Sequence, residues 1–322
     1  MSATLTENVT DYASANADLN VDCESVFIIP LTIDGFLPKY GIGRRVQSLQ
    51  PHISQHLPPR NNTEATLLSM WLNTHQAMFI STGVAAHCVN RICQLLDSDS
   101  GLGRIIDWTR LAVDCRHASA VYTSLPHLTR EHYEAYLRPS MMAVHPGFSG
   151  VSNRESITME QTLHKLTDAH TQLATRNRTL AEAVLPYISQ IQEADRTWWK
   201  FHGKAMGKYV YDPTSLARMD FKHQKEHGSN DRNFTDYRNR VLRQDNTIAD
   251  YDVYFAVTRT DNLTINDYIL SLERCLKSSA SYIEHDGVLA QYRERGTHAL
   301  HEVLMREKIN YEMNNSLDQV PN

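Results

Sequence analysis

The chain has 322 residues and a net charge of −5, and 41% of its residues are hydrophobic. This length can bury a sizeable core, and the composition is that of a globular protein. The charge argues against a nucleic-acid or anionic-membrane surface, and no apolar run reaches the ~20 residues that span a bilayer.

The first 22 residues are polar and lack the basic and apolar blocks of a signal peptide, so they predict a flexible tail before a single domain over residues 23–316. The chain has five cysteines, at Cys23, Cys88, Cys93, Cys115 and Cys275. Their odd number and scattered positions are typical of a reducing compartment, so we expect a cytoplasmic protein.

Apolar residues at helical spacing predict an all-α fold. The predicted helices cover residues 63–97, 104–123, 129–137, 155–180, 186–210, 264–285 and 288–312. Pro186 is expected in a first helical turn, where its missing N–H costs nothing.

Two segments break this pattern. Residues 211–246 are polar and include Pro213 and Gly228, which predicts a long ordered loop over a site. Residues 250–260 are compatible with either a strand or a helix.

The stretch RTWWKFHGKAMGKY, residues 196–209, suggests a cofactor site. Trp198, Phe201, His202 and Met206 occupy neighbouring positions on a helical surface, and Gly203 leaves one flank open. A haem needs a histidine on a rigid helix, aromatic walls and small residues for close approach. An aromatic core helix with a hydrogen-bonded histidine is the simpler alternative.

A second histidine, His87, lies among Gly83, Ala85 and Ala86 in an apolar helix. Small residues around one histidine suit the wall of a cavity into which His87 would point as an acid, base or hydrogen-bond donor. Tight helix–helix packing explains the same small residues equally well.

The turn HPGFSGVSN, residues 145–153, leads into a helix that starts near Arg154. Such a turn can bind an anion at the helix N-terminus, let the backbone approach a flat ligand, or merely cap the helix.

Histidine pairs leave metal alternatives open. His223 and His227 are four residues apart and would share a helix face. Glu160 with His164, and Glu294 with His298, have the spacing of helical di-iron ligands. A helical di-iron oxygenase is therefore an alternative to a haem protein.

Three segments together resemble the haem-containing tryptophan 2,3-dioxygenase superfamily. The run from Gly147 to Arg154 has the spacing of a family motif whose arginine binds the substrate carboxylate. Trp198-Trp199-Lys200-Phe201-His202 repeats the tryptophan that precedes the proximal haem histidine by four positions. Residues 79–82 and 96–98 loosely fit the distal helix, which reads Phe-Ile-x-Thr-His-Gln and later ends in Leu-Asp-Ser.

The resemblance implies that haem b is the cofactor and His202 its axial ligand. It also assigns other roles to residues of these segments. Arg154 is expected to bind the substrate carboxylate, with Phe148, Ser152 and Asn153 as further substrate contacts. Ser149, Gly150, Trp198, Phe201 and Met206 are expected to contact the haem.

Gly83 stands where the dioxygenases have their distal histidine, and His87 follows one turn later. This departure favours the superfamily's natural-product branch, the haem-dependent L-tyrosine 3-hydroxylases of antibiotic biosynthesis. The resemblance therefore implies conversion of L-tyrosine to L-DOPA with peroxide or oxygen. It also implies that His87 is the catalytic residue and that the protein is a homodimer. Oxidation of tryptophan or a derivative, and a haem sensor without enzymatic activity, are the other haem-based hypotheses.

Overall fold

The computed structural model describes residues 27–30, 59–98, 101–123, 125, 128–148, 153–212, 214–244, 247, 251, 254–255, 257–260 and 287–317. The helices are α1 Asn62–Asp97, α2 Leu102–Val121, α3 Arg130–His132, α4 Arg138–Val144, α5 Arg154–Arg176, α6 Arg178–Tyr209, α7 Leu216–Glu226, α8 Phe234–Tyr237 and α9 Gly287–Leu317. π-Helical turns at Tyr133–Leu137 and Arg238–Leu242 follow α3 and α8. The all-α prediction is confirmed.

The described part also contains one short pair of strands. β1, Phe27–Pro30, runs parallel to β2, Val257–Thr260, with Phe27 opposite Val257. The ambiguous segment 250–260 therefore ends in a strand.

α1 is the centre of the fold, because α2, α5 and α9 all pack against it. Its residues 76–90 are buried on every side, as expected for a helix inside a core. Asn61 caps the helix by accepting a hydrogen bond from the backbone nitrogen of Glu64 at 2.9 Å. This central helix begins and ends within one residue of its predicted bounds.

α5 and α6 form a hairpin with a single residue between them. The backbone nitrogen of Asn177 bonds to the Leu173 carbonyl at 2.7 Å, and its side chain accepts from the backbone nitrogen of Leu180 at 3.1 Å. The prediction that Pro186 lies in a first turn is wrong, because Asn177 starts the helix earlier. Pro186 removes one backbone bond at the exposed Glu182, where water can bond to the carbonyl.

The prediction of a long loop over residues 211–246 is also wrong. This segment contains α7 and α8, which pack on each other around the buried residues Ala217, Tyr237 and Leu242. Tyr237 donates a hydrogen bond to Asp220 at 2.6 Å. A Cβ at Gly147 would collide with the Tyr237 hydroxyl, so this glycine lets the turn before α5 approach α8 closely.

The predicted helix 264–285 and the predicted tail 1–22 lie outside the described residues. Among the helices that the structure does describe, none is long and apolar enough to cross a membrane.

Candidate active site

α6 holds His202 between two indole rings. The Trp198 ring lies parallel to the His202 imidazole, with centroids 5.0 Å apart and planes 5° apart. Trp199 meets the same imidazole edge-on at 6.2 Å. Trp198 is buried, whereas Trp199 is half exposed. The spacing of four residues places Trp198 and His202 on one helix face, so the sequence itself produces the parallel stack.

The surroundings of His202 fit an axial haem ligand. Burial, and then the charge of Arg116, lower the pKa of His202 to about 4, so the ring is neutral at pH 7, as metal binding requires. Neither of its ring nitrogens has a hydrogen-bond partner among the described residues. A Cβ at Gly203 or Gly207 would meet nothing within 4 Å, so the helix is open on this flank. A neutral, unpartnered imidazole beside open space can accept a metal and a flat macrocycle.

A second histidine with a free ring nitrogen is His75 of α1, which was not among the predicted site residues. Its Nδ1 lies 2.8 Å from the Trp71 carbonyl oxygen. A carbonyl only accepts, so Nδ1 carries the hydrogen and Nε2 keeps its lone pair. Burial is the main cause that lowers the pKa of His75 to about 3, and the charge of His202 lowers it further. His75 is thus neutral at pH 7 and can accept a hydrogen bond at Nε2.

Aromatic rings connect His75 to the turn before α5. Phe255 stacks on His75 at 4.8 Å, and the Gln76 side chain donates to the Phe255 carbonyl at 2.7 Å. Phe148 packs on Phe255 at 5.7 Å and stacks on Tyr251 at 4.1 Å. The predicted substrate contact Phe148 is therefore part of a buried aromatic wall that continues to His75.

Arg154 is the first residue of α5, directly after its cap. Asn153 is buried and its side-chain oxygen accepts from the backbone nitrogen of Ser156 at 2.8 Å, so a capping role accounts for it. The Nε of Arg154 is buried and has no hydrogen-bond partner among the described residues. A buried guanidinium nitrogen without an acceptor is costly, and a carboxylate at the helix N-terminus would supply that acceptor.

The remaining predicted contacts are not tested by the geometry. Ser149, Gly150 and Ser152 lie outside the described residues. Phe201 and Met206 lie on α6, where they are partly buried and pack against the main core. Their contact with haem stays a prediction.

His87 lies apart from these groups. It follows His75 by twelve residues on the same helix, which is about 18 Å along the axis. It is buried and meets Trp108 of α2 edge-on at 5.9 Å. Catalysis by His87 stays a prediction.

The di-iron alternative receives no support. Glu160 accepts a hydrogen bond from Arg243 at 2.6 Å, so it is engaged in an ion pair. Glu160 and His164 lie on α5, whereas Glu294 and His298 lie on α9. Within the described ranges, no group of three or more histidine, cysteine, aspartate or glutamate residues could hold a metal ion.

His223 and His227 share a helix face as predicted. Their rings stack at 4.2 Å beside an open surface cleft of about 590 Å³. The His227 Nδ1 forms a hydrogen bond with the His223 carbonyl at 2.7 Å. The described residues supply no third metal ligand here. The pair therefore does not form a metal site by itself.

A sequence signal for His75 was present. The Thr-His-Gln order of the dioxygenase distal helix occurs at Thr74-His75-Gln76, whereas residues 79–82 were matched to that motif. In addition, Trp71, His75 and Phe79 recur every four residues, so one helix face is aromatic.

Comparison with known proteins agrees with a tyrosine-modifying enzyme. Residues 42–183 match the family described as SfmD 3-methyl-L-tyrosine peroxygenase. No curated protein and no solved structure matches the chain. The matched segment contains His75 and Arg154 and ends within α6 before His202, so it covers less than half of the chain. The resemblance to the tryptophan dioxygenases stays a prediction. Over residues 42–183, the chain is thus similar to a family of peroxygenases that act on a tyrosine derivative.

Proposed function

We propose that this protein is a haem-dependent oxidoreductase that hydroxylates the ring of a tyrosine-class amino acid, most directly L-tyrosine to L-DOPA. The observation that carries the proposal is the geometry of two histidines. His202 of α6 stacks on Trp198, and His75 of α1 is held through Nδ1 by the Trp71 carbonyl, which leaves its Nε2 available to a ligand. The similarity to a 3-methyl-L-tyrosine peroxygenase family supports the substrate class and a peroxide oxidant.

His202 would hold the iron of haem b, and Trp198 fixes the plane of its imidazole. The bound haem would supply the oxidising power that inserts an oxygen atom from peroxide into an aromatic C–H bond. The contribution of the chain is to bind and orient the substrate and to move protons.

His75 is suited to accept a hydrogen bond from the phenolic hydroxyl group. Its Nε2 keeps a lone pair because the Trp71 carbonyl holds the hydrogen on Nδ1. A hydrogen bond from the phenolic O–H to Nε2 would orient the ring and raise its electron density at the carbons next to the phenolic oxygen. Hydroxylation of tyrosine to L-DOPA takes place at one of these carbons.

Arg154 is suited to bind the substrate carboxylate. Its buried Nε lacks an acceptor among the described residues, and it stands at the positive end of the α5 dipole. Ser152 is the adjacent candidate for the substrate ammonium group, as the resemblance implies. A cytoplasmic homodimer is part of the same proposal, and sedimentation of the purified protein measures the assembly state.

The test is a haemin titration of the purified chain followed by substrate. Wild-type protein should give a sharp Soret band, His202→Ala should lose or shift it, and the matched surface variant His164→Ala should keep it. L-tyrosine should then shift the band, and peroxide should yield L-DOPA.

Other results would redirect the assignment. A shift with L-tryptophan alone would change the substrate, and a shift without any product would indicate a sensor. Retention of an unchanged band by His202→Ala would overturn the axial assignment.

A further inference from the structure

A buried arginine contacts the indole that stacks on His202. The Arg116 guanidinium lies over the Trp198 ring, with its central carbon 4.4 Å from the ring centroid. The Trp198 ring is in turn parallel to the His202 imidazole. An arginine of α2 therefore meets the proposed ligand through a single intervening side chain.

The guanidinium is fixed in this place. Its Nε and Nη2 both donate to Asp195 Oδ1, at 3.0 and 2.7 Å, and its Nη1 donates to Thr82 at 3.2 Å. The side chain is 4% exposed. A charge withdrawn from water in this way is held only where its partners and its geometry are good.

The location of the charge matters for the ligand. The Asp195 carboxylate is bound to the guanidinium, but the guanidinium itself covers the ring stacked on His202, and its charge lowers the pKa of His202. A fixed positive charge near an imidazole opposes the build-up of negative charge on the ring. It therefore weakens electron donation from the ring to a metal.

We propose that Arg116 is a positioning residue for His202: it fixes the Trp198 indole that orients the imidazole, and its charge keeps the imidazole a weak donor. This inference rests on the proposed binding of haem by His202. It adds a residue outside the ligand set, on another helix, that tunes the iron.

The main experiment compares haemin-loaded wild-type protein with Arg116→Met and Arg116→Lys. For Arg116→Met we expect haemin affinity to fall by about 10- to 100-fold, as is typical when a residue behind a metal ligand is lost. We also expect a higher iron–histidine stretching frequency in the ferrous protein and a lower midpoint potential. Arg116→Lys keeps the charge but not the planar contact, so affinity should fall while the frequency stays near that of the wild type.

The control and a second variant keep the result interpretable. Arg110→Met removes an exposed arginine of the same helix, paired with Glu302, and should change neither the vibration nor the potential. If Arg116→Met does not fold, Asp195→Asn tests the effect of the Arg116 charge by removing the carboxylate that pairs with it. It leaves Arg116 uncompensated and should lower the stretching frequency.

The possible failures are distinguishable. If wild-type protein does not bind haemin, or if His202→Ala binds it equally well, the proposed function fails. If haemin binds through His202 but the vibration and potential of the Arg116 and Asp195 variants equal those of the wild type, only the role of Arg116 is overturned.

Discussion

The imidazole of His75 lies nearly parallel to the phenyl ring of Phe255, with planes 14° apart. The backbone of Phe255 is held in turn by Gln76, the next residue after His75 on α1. The ring of His75 is thus fixed from two sides, by Phe255 and by the Trp71 carbonyl. A side chain that orients a substrate by accepting its hydrogen bond needs this kind of fixed orientation.

We therefore expect His75→Gln to lower the rate of tyrosine hydroxylation by roughly 10-fold, because the glutamine side chain does not place an acceptor where Nε2 lies and one hydrogen bond to the substrate is lost. Haemin binding should persist because His202 is untouched. Steady-state assays of L-DOPA formation measure the first effect, and the Soret band measures the second.

His87→Gln is the matched control, since it makes the same substitution on the same helix about 18 Å away. Its hydroxylation rate should stay within a few-fold of wild type. A large loss in His87→Gln with little loss in His75→Gln would restore His87 as the catalytic histidine.

Replacement of Arg154 by Met should weaken binding of the amino acid. A charged hydrogen bond contributes about 1.5–3 kcal/mol, so KM for L-tyrosine should rise by roughly 10- to 100-fold. Competition by tyramine, which lacks the carboxylate, tests whether Arg154 acts through the substrate carboxylate. Wild type and Arg154→Met should bind tyramine alike, and a loss for tyramine as large as that for tyrosine would contradict a carboxylate contact.

The Gly147→Ala variant should destabilise the contact between the turn before α5 and α8. The added methyl group would displace the Tyr237 hydroxyl and strain its hydrogen bond to Asp220. Overpacking of this kind costs about 1–3 kcal/mol in the free energy of unfolding, which urea denaturation measures.

Gly103→Ala provides the comparison for this change. Gly103 is exposed on α2, and a Cβ there would meet nothing within 4 Å. We expect this variant to be as stable as wild type or more stable by about 0.5–1 kcal/mol, because alanine favours the helix. Equal destabilisation by both substitutions would show that close packing at Gly147 is not the cause.

The stability of the protein should fall as the pH drops below about 6.5, in part because of His117. Burial is the main cause that lowers the pKa of His117, with opposing contributions from Asp114, which raises it, and Arg295, which lowers it. The folded pKa lies below the unfolded one, so the unfolded chain binds more protons in this range. The stabilisation is full above the unfolded pKa and is lost as the pH falls toward the folded pKa.

His117→Phe isolates this contribution. Phenylalanine can keep the stack that His117 makes on Tyr292 of α9 at 4.1 Å, but it cannot titrate. Unfolding free energies at pH 8 and pH 5.5 should therefore differ less for the variant than for wild type. An equal difference in both proteins would exclude His117 from the acid sensitivity.

The sequence predicted the positions of the helices better than it predicted which histidine belongs to the candidate site. Apolar periodicity located α1 and α2 closely, because each forms long runs of buried residues. For Gly83 and Ala85, the sequence left a cavity wall beside His87 and tight helix–helix packing equally open. Both residues are buried in α1, and the neighbouring Thr82 contacts Ser119 of α2 at 3.0 Å.

The candidate site could be predicted only where it depends on local spacing. The stack of Trp198 on His202 follows from their separation by four residues, and the cap at Asn153 follows from its place before a helix. The placement of His75 relative to His202 depends on how α1 and α6, which are far apart in the chain, each pack against α2. A pattern within either helix cannot show that relationship.

The single residue between α5 and α6 limits where the chain can tolerate insertions and deletions. Asn177 ends one helix and begins the next, and His170 fastens the hairpin through a 3.0 Å contact with the Ala181 carbonyl. An extra residue inserted within α6 before His202 would turn this imidazole by about 100° and move it about 1.5 Å along the axis. Insertions and deletions among natural relatives should therefore be absent between Arg154 and His202 and should occur instead in connections such as residues 210–215.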